Sequence, residues 1–136
     1  MKKWVVFLIL SVGFCITNVS CIKESSTFHR SVMVTNKTES AVFWAFAWGQ
    51  DWDREVPARG DTFKVLPNET KEISLLEGAS SIEGMMLGKM KVFFIDADIL
   101  DKLPVGRVPI ESVLGSRIYT LEEIRAINFH FCFPFE

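Results

Sequence analysis

Residues 41–48 read AVFWAFAW, and this run constrains the fold more than any other part of the chain. In an extended strand, successive side chains point to opposite faces. Val42, Trp44, Phe46 and Trp48 then share one face, and Ala41, Phe43, Ala45 and Ala47 share the other. Neither face carries a charge, so the strand belongs inside a sheet and needs cover on both sides. One face is bulky and the other mostly small, which lets the strand pack closely on one side.

The neighbouring segments supply partners for it. Residues 28–35 alternate, with Phe28, Arg30, Val32 and Val34 on one face, and read as a first strand. Residues 36–40 form a turn. Residues 62–66 suit a short edge strand, residues 67–70 a proline-led turn, and residues 71–75 a strand with Ile73 and Leu75 inward. Residues 89–95 (KMKVFFI) are rich in β-branched and aromatic side chains and read as a further strand. Phe129, Phe131, Phe133 and Phe135 alternate without a break, which marks a terminal strand with one all-phenylalanine face.

Helices are expected only as short pieces. Residues 98–103 suit one helical turn before Pro104. Pro109 suits the first turn of a helix that covers Ile110, Val113 and Leu114 and stops at Gly115. Residues 117–119 read as a short extended piece. Thr120 and Glu123 have the spacing of a capping box, opening a helix from Leu121 to about Ile127 that buries Leu121, Ile124 and Ile127. Residues 78–88, with three glycines and two serines, read as a loop or edge hairpin. A doubly wound sheet needs long helices between its strands, and this chain has none. The expected fold is mainly β: an antiparallel, immunoglobulin-like β-sandwich over residues 28–136, with one or two short helices near the C-terminus.

The first twenty residues follow another logic. Lys2 and Lys3 precede a largely apolar region of thirteen residues, 4–16, and a short polar stretch ends at Ser20. The apolar run is shorter than the roughly 20 residues that cross a bilayer core, so it reads as an export signal rather than a span. Of the 136 residues, 116 would remain in the mature chain, enough for a single core. Its formal charge moves from −2 to −4 once Lys2 and Lys3 leave. That balance argues against a nucleic-acid partner.

Cys21 follows the signal directly. A thiol there can accept a diacylglycerol thioether, and two or three acyl chains hold a domain on a bilayer where one holds it marginally. Residues 21–27 then form a polar tether. Cys15 leaves with the signal, so Cys132 is the one thiol left and no intrachain disulfide is expected.

Few residues invite chemistry. Asp96, Asp98 and Asp101 offer carboxylates to Ca²⁺, but lack the glycine and distal glutamate of an EF-hand loop. They suit helix capping better. Asp51-Trp52-Asp53, in the polar loop 49–61, offers an aromatic between two acids that would stack on a glycan or anchor an envelope protein. The competing reading folds Trp52 back over the core. His130 and Cys132 share a strand face, but a zinc site needs three or four ligands. No catalytic residue and no cofactor is called for.

Several stretches together resemble a family of small uncharacterised lipoproteins from Bacteroides-type bacteria. They are Val19-Ser20-Cys21 as a lipobox, Asn36 in an early turn, Pro67-Asn68-Glu69, residues 91–100 (KVFFIDADIL), residues 118–124 (IYTLEEI), and the closing Asn128-Phe129 and Pro134-Phe135. Asn18 stands where a lipobox usually has leucine, Phe129 where the family commonly has tryptophan, and Phe133-Pro134 in place of tyrosine-proline. The resemblance implies a lipid-anchored protein of the bacterial outer membrane, facing the periplasm or the cell surface. It brings no catalytic residues. Two roles then compete: a binding or assembly module acting through loops 49–61 and 78–88, and a small periplasmic enzyme or enzyme inhibitor. A purely structural spacer is the third.

Overall fold

The computed structural model describes residues 28–76, 80–103 and 106–136. The expected export signal, Cys21 and the expected tether lie outside the described residues. Among the described residues, the strands are β1 (Ser31–Asn36), β2 (Val42–Trp48), β3 (Thr62–Val65), β4 (Thr70–Ser74), β5 (Lys89–Asp96), β6 (Val113–Thr120) and β7 (His130–Phe133). Three short helices join them: α1 (Ile82–Met85), α2 (Ala97–Leu100) and α3 (Leu121–Ala126).

The strands form two sheets, ordered β4-β1-β7 and β3-β2-β5-β6. The architecture is mainly β and sandwich-like. β2 lies inside the larger sheet, as its two apolar faces require, with Trp44 opposite Phe94 on β5 and Phe63 on β3. β3 is an edge strand, as its shortness suggested. All pairings are antiparallel except β1 with β7, which is parallel. That exception corrects the wholly antiparallel expectation, and it follows from the path of the chain. β6 ends where β1 begins, and α3 turns the chain there, so β7 leaves in the direction of β1.

The main core fills the space between the sheets. Val32, Val34, Ile73 and Phe131 meet Val42, Trp44, Phe46, Val92 and Phe94. Ile82 and Met86 at α1 and Ile124 on α3 close one end of it. The small face of β2 has a core of its own. Ala45 and Ala47 pack with Phe93, Ile95, Leu100 and Val108, and with Val56 from the loop after β2. The alanines leave room for that cover to sit close.

Three expectations need correction. Residues 78–88 do not form a hairpin in their described part, 80–88. Ser81 caps α1 by accepting from the Gly84 N–H at 3.2 Å. Residues 109–115 are not one helix. A 3₁₀ turn at Ile110–Ser112 leads straight into β6, because the free edge of β5 offers Val113 a partner in Ile95. Ile110 and Leu114 are therefore exposed, and Gly115 stops no helix. It sits mid-strand, where the Phe135 ring comes within 3.2 Å of the position a Cβ would take. The turn expected at 98–103 begins one residue earlier, at Ala97. The capping box at Thr120 is present in both halves.

Candidate functional site

One end of the sandwich gathers the loop after β2, the segment around α1 and His29, just ahead of β1. Gly49 turns the chain out of β2 at φ +63°, and its N–H donates to the Met86 carbonyl at 3.2 Å. Gly49 also lies beside the Leu87 side chain. Loops 49–61 and 78–88, far apart in sequence, thus touch. Met86 is fully buried, while Met85 is 44% and Leu87 73% exposed. Leu87 holds φ +51°, a left-handed conformation uncommon for a branched side chain.

Trp52 is half-buried beside this patch, with the Lys89 Nζ 4.6 Å from its ring centroid. One face of the indole is therefore taken by an ammonium group. Asp51 is bound within its own loop, its carboxylate 3.0 Å from the Arg54 guanidinium. Asp53 is exposed. The pair of acids flanking Trp52 is thus one committed and one exposed carboxylate. Burial pushes the Asp61 carboxyl up, Arg54 opposes that, and Asp51 adds to it.

The chain enters the domain beside α1. The His29 carbonyl accepts from the Ile82 N–H at 2.7 Å, and the His29 N–H donates to Glu83 Oε2 at 3.0 Å. His29 Nδ1 lies 2.6 Å from Glu83 Oε1. The imidazole stacks on Phe129 with centroids 3.7 Å apart. Burial pushes the Glu83 carboxyl up, but the hydrogen bonds from His29 outweigh it and hold its pKa below the usual 4.5. This clamp was not legible in the sequence, since its partners lie 54 positions apart with no shared motif.

The remaining candidates separate. Asp96, Asp98 and Asp101 lie at the opposite end. Asp96 caps α2 by accepting from the Asp98 N–H at 2.8 Å, and Asp101 pairs with Lys64. Of the three, Asp96 therefore takes the capping role. Among the described residues no group of three or more histidine, cysteine or acidic side chains is arranged to hold a metal. His130 Nε2 lies 2.7 Å from the Thr35 hydroxyl, and Cys132 is a half-buried free thiol.

A cleft of about 250 Å³ between β6, α3 and β7 is lined by Arg117, Tyr119, Glu123, His130 and Cys132. Burial pushes the Tyr119 phenol up, against the pull of Arg117. Glu123 is committed to the capping box, accepting from the Thr120 N–H at 2.8 Å. Arg117 donates to the Glu136 carbonyl at 3.0 Å. Among the described residues, no helix is long and apolar enough to cross a membrane. The chain matches no family model, no curated protein and no solved structure.

Proposed function

We propose that this chain is a lipid-anchored protein of the bacterial outer membrane, a binding or assembly module without catalysis, held by acyl chains on Cys21. The Lys-Lys opening, the largely apolar region 4–16 and the cysteine behind Ser20 support the anchor. The resemblance to small Bacteroides-type lipoproteins supports the same reading. The observation that carries the binding role is the meeting of loops 49–61 and 78–88, which sets exposed Met85 and Leu87 beside Trp52. An envelope protein or a glycan would be met by such an end.

The immunoglobulin-like reading draws support from the order of pairing. β1 with β4, β2 with both β3 and β5, and β5 with β6 reproduce the neighbours B–E, C–C′, C–F and F–G of that fold. β7 takes the edge position of strand A.

The anchor is tested by Cys21→Ser. Wild type is expected in the membrane fraction and the variant in the soluble fraction; equal membrane association of both would overturn the claim. Protease shaving of whole cells separates surface from periplasm. The second reading, a small periplasmic enzyme or inhibitor, rests on the Tyr119–His130 cleft. A compound that binds there and is lost in Tyr119→Phe and His130→Ala would favour it.

A further inference from the structure

We propose that the end of the domain carrying Leu87, Met85, Trp52 and Lys89 rests on the lipid bilayer, so that the anchored domain lies against the membrane in one orientation. This rests on the lipid-anchor reading, and it gives that end the bilayer as its occupant in place of an envelope protein or a glycan.

Chain length sets the first limit. Phe28 is seven residues beyond Cys21, and a fully extended chain spans at most roughly 3.3–3.6 Å per residue, so its entry point lies within about 25 Å of the anchor. The His29 clamp sets the second. With the carbonyl, the N–H and the imidazole of His29 all engaged by α1, the entry point is fixed to the segment that carries Met85 and Leu87. A short tether joined to that segment holds its exposed side chains near the headgroups at high effective concentration. A small apolar patch is then enough for contact.

The chemistry of the patch suits that occupant. Leu87 and Met85 are flexible aliphatic groups that displace water from the acyl boundary. An indole beneath an ammonium group pairs a ring that favours the interface with a cation that favours acidic headgroups. Lys89 can bury its stem while its charge stays wet. Leu87 also occupies a left-handed backbone position that glycine or asparagine would fill with less strain. An exposed leucine there serves no packing need of the core, which Met86 and Ile82 fill from the same segment.

Leu66 supplies the control. It is 53% exposed, comparably apolar, and lies at the far end beside the β3–β4 turn. The experiment uses the lipidated protein with Cys132→Ser, in vesicles of phosphatidylethanolamine and phosphatidylglycerol with and without brominated acyl chains. An environment-sensitive fluorophore is placed at Leu87→Cys or at Leu66→Cys. Both positions are exposed, so neither substitution disturbs the core. Emission from position 87 should shift to the blue and be quenched several-fold more strongly by brominated lipid than emission from position 66. Weak and equal quenching at both, in protein that floats with the vesicles, would overturn the docking and leave the anchor standing. A blue shift at 87 that ignores bromination and grows with protein density would mean that a second copy covers the patch, and would also overturn it. Protein that does not float, with a thiol at position 21 open to labelling in the C132S parent, would overturn anchor and docking together.

Discussion

Asn36 is the polar side chain on which most local order converges. It is fully buried at the end of β1. Its amide donates to the Ser40 and Leu66 carbonyls at 2.7 and 3.2 Å, and its oxygen accepts from the Thr38 N–H and hydroxyl at 3.0 and 2.7 Å. One side chain thus ties the turn after β1 to the end of β3, on the other sheet. Asn36→Ala would remove all four bonds from a buried position and leave their part-buried partners to water, so a loss of roughly 1–3 kcal/mol is expected in urea unfolding. Asn36→Asp should lose at least as much, because a carboxylate would face two carbonyls; a midpoint near wild type for either would show that water replaces the bonds. Leu87 predicts the opposite sign. Leu87→Asn relieves the φ +51° backbone and should raise stability by about 0.5–1 kcal/mol. Asn36 was legible in the sequence as a turn residue. Its structural role was not, because that depends on Leu66, thirty positions away.

At the scale of elements, what was legible was what is local. The two faces of β2, the β-branched and aromatic content of β5, the alternation of β7, and the capping box of α3 each depend on neighbours a few residues apart. Thr120→Ala should accordingly cost about 1 kcal/mol, since the hydroxyl that accepts the Glu123 N–H is lost. The second half of β6 was legible as the extended piece 117–119, but its first half was hidden because Val113 and Leu114 become strand only when the edge of β5 is there to receive them. The glycine-rich stretch before β5 hid α1 for a similar reason: its one buried helical residue, Ile82, is held by the His29 carbonyl from the start of the domain. That junction also responds to pH. Glu83 has a folded pKa below its ordinary 4.5, so its contribution to stability is fully present above that value and is lost as pH falls through the folded value. Unfolding midpoints measured between pH 7 and pH 3 should therefore fall more steeply for wild type than for Glu83→Gln. Parallel curves would show that the pair does not link α1 to the chain entry.

For the whole molecule, the decisive fact is that β2 and β5 are apolar on both faces while the sandwich covers only one. Phe93, Ile95, Ala45 and Ala47 would meet water if nothing crossed them. Among the described residues no third sheet does so. The cover is irregular: the loop after β2 contributes Val56, and the segment from α2 onward contributes Leu100 and Val108. Irregular segments need fixing points, and Arg59 is one. Its Nη2 donates to the Leu100 and Leu103 carbonyls at 3.1 and 3.0 Å, and its guanidinium lies 5.7 Å from the Phe43 ring centroid. The side chain therefore ties the loop after β2, the end of α2 and the sheet together. Arg59→Ala should cost roughly 1–3 kcal/mol, since two carbonyls at the end of α2 lose a charged donor. It should also loosen the cover before the main core opens, because that core lies on the far side of the sheet. Amide exchange is then expected to quicken first in residues 54–59 and 97–103, with β1 and β7 still protected, and an apolar dye should gain fluorescence under native conditions. Uniform acceleration across both sheets would instead mean that the two faces of β2 unfold as one unit, and that the second core is a continuation of the first.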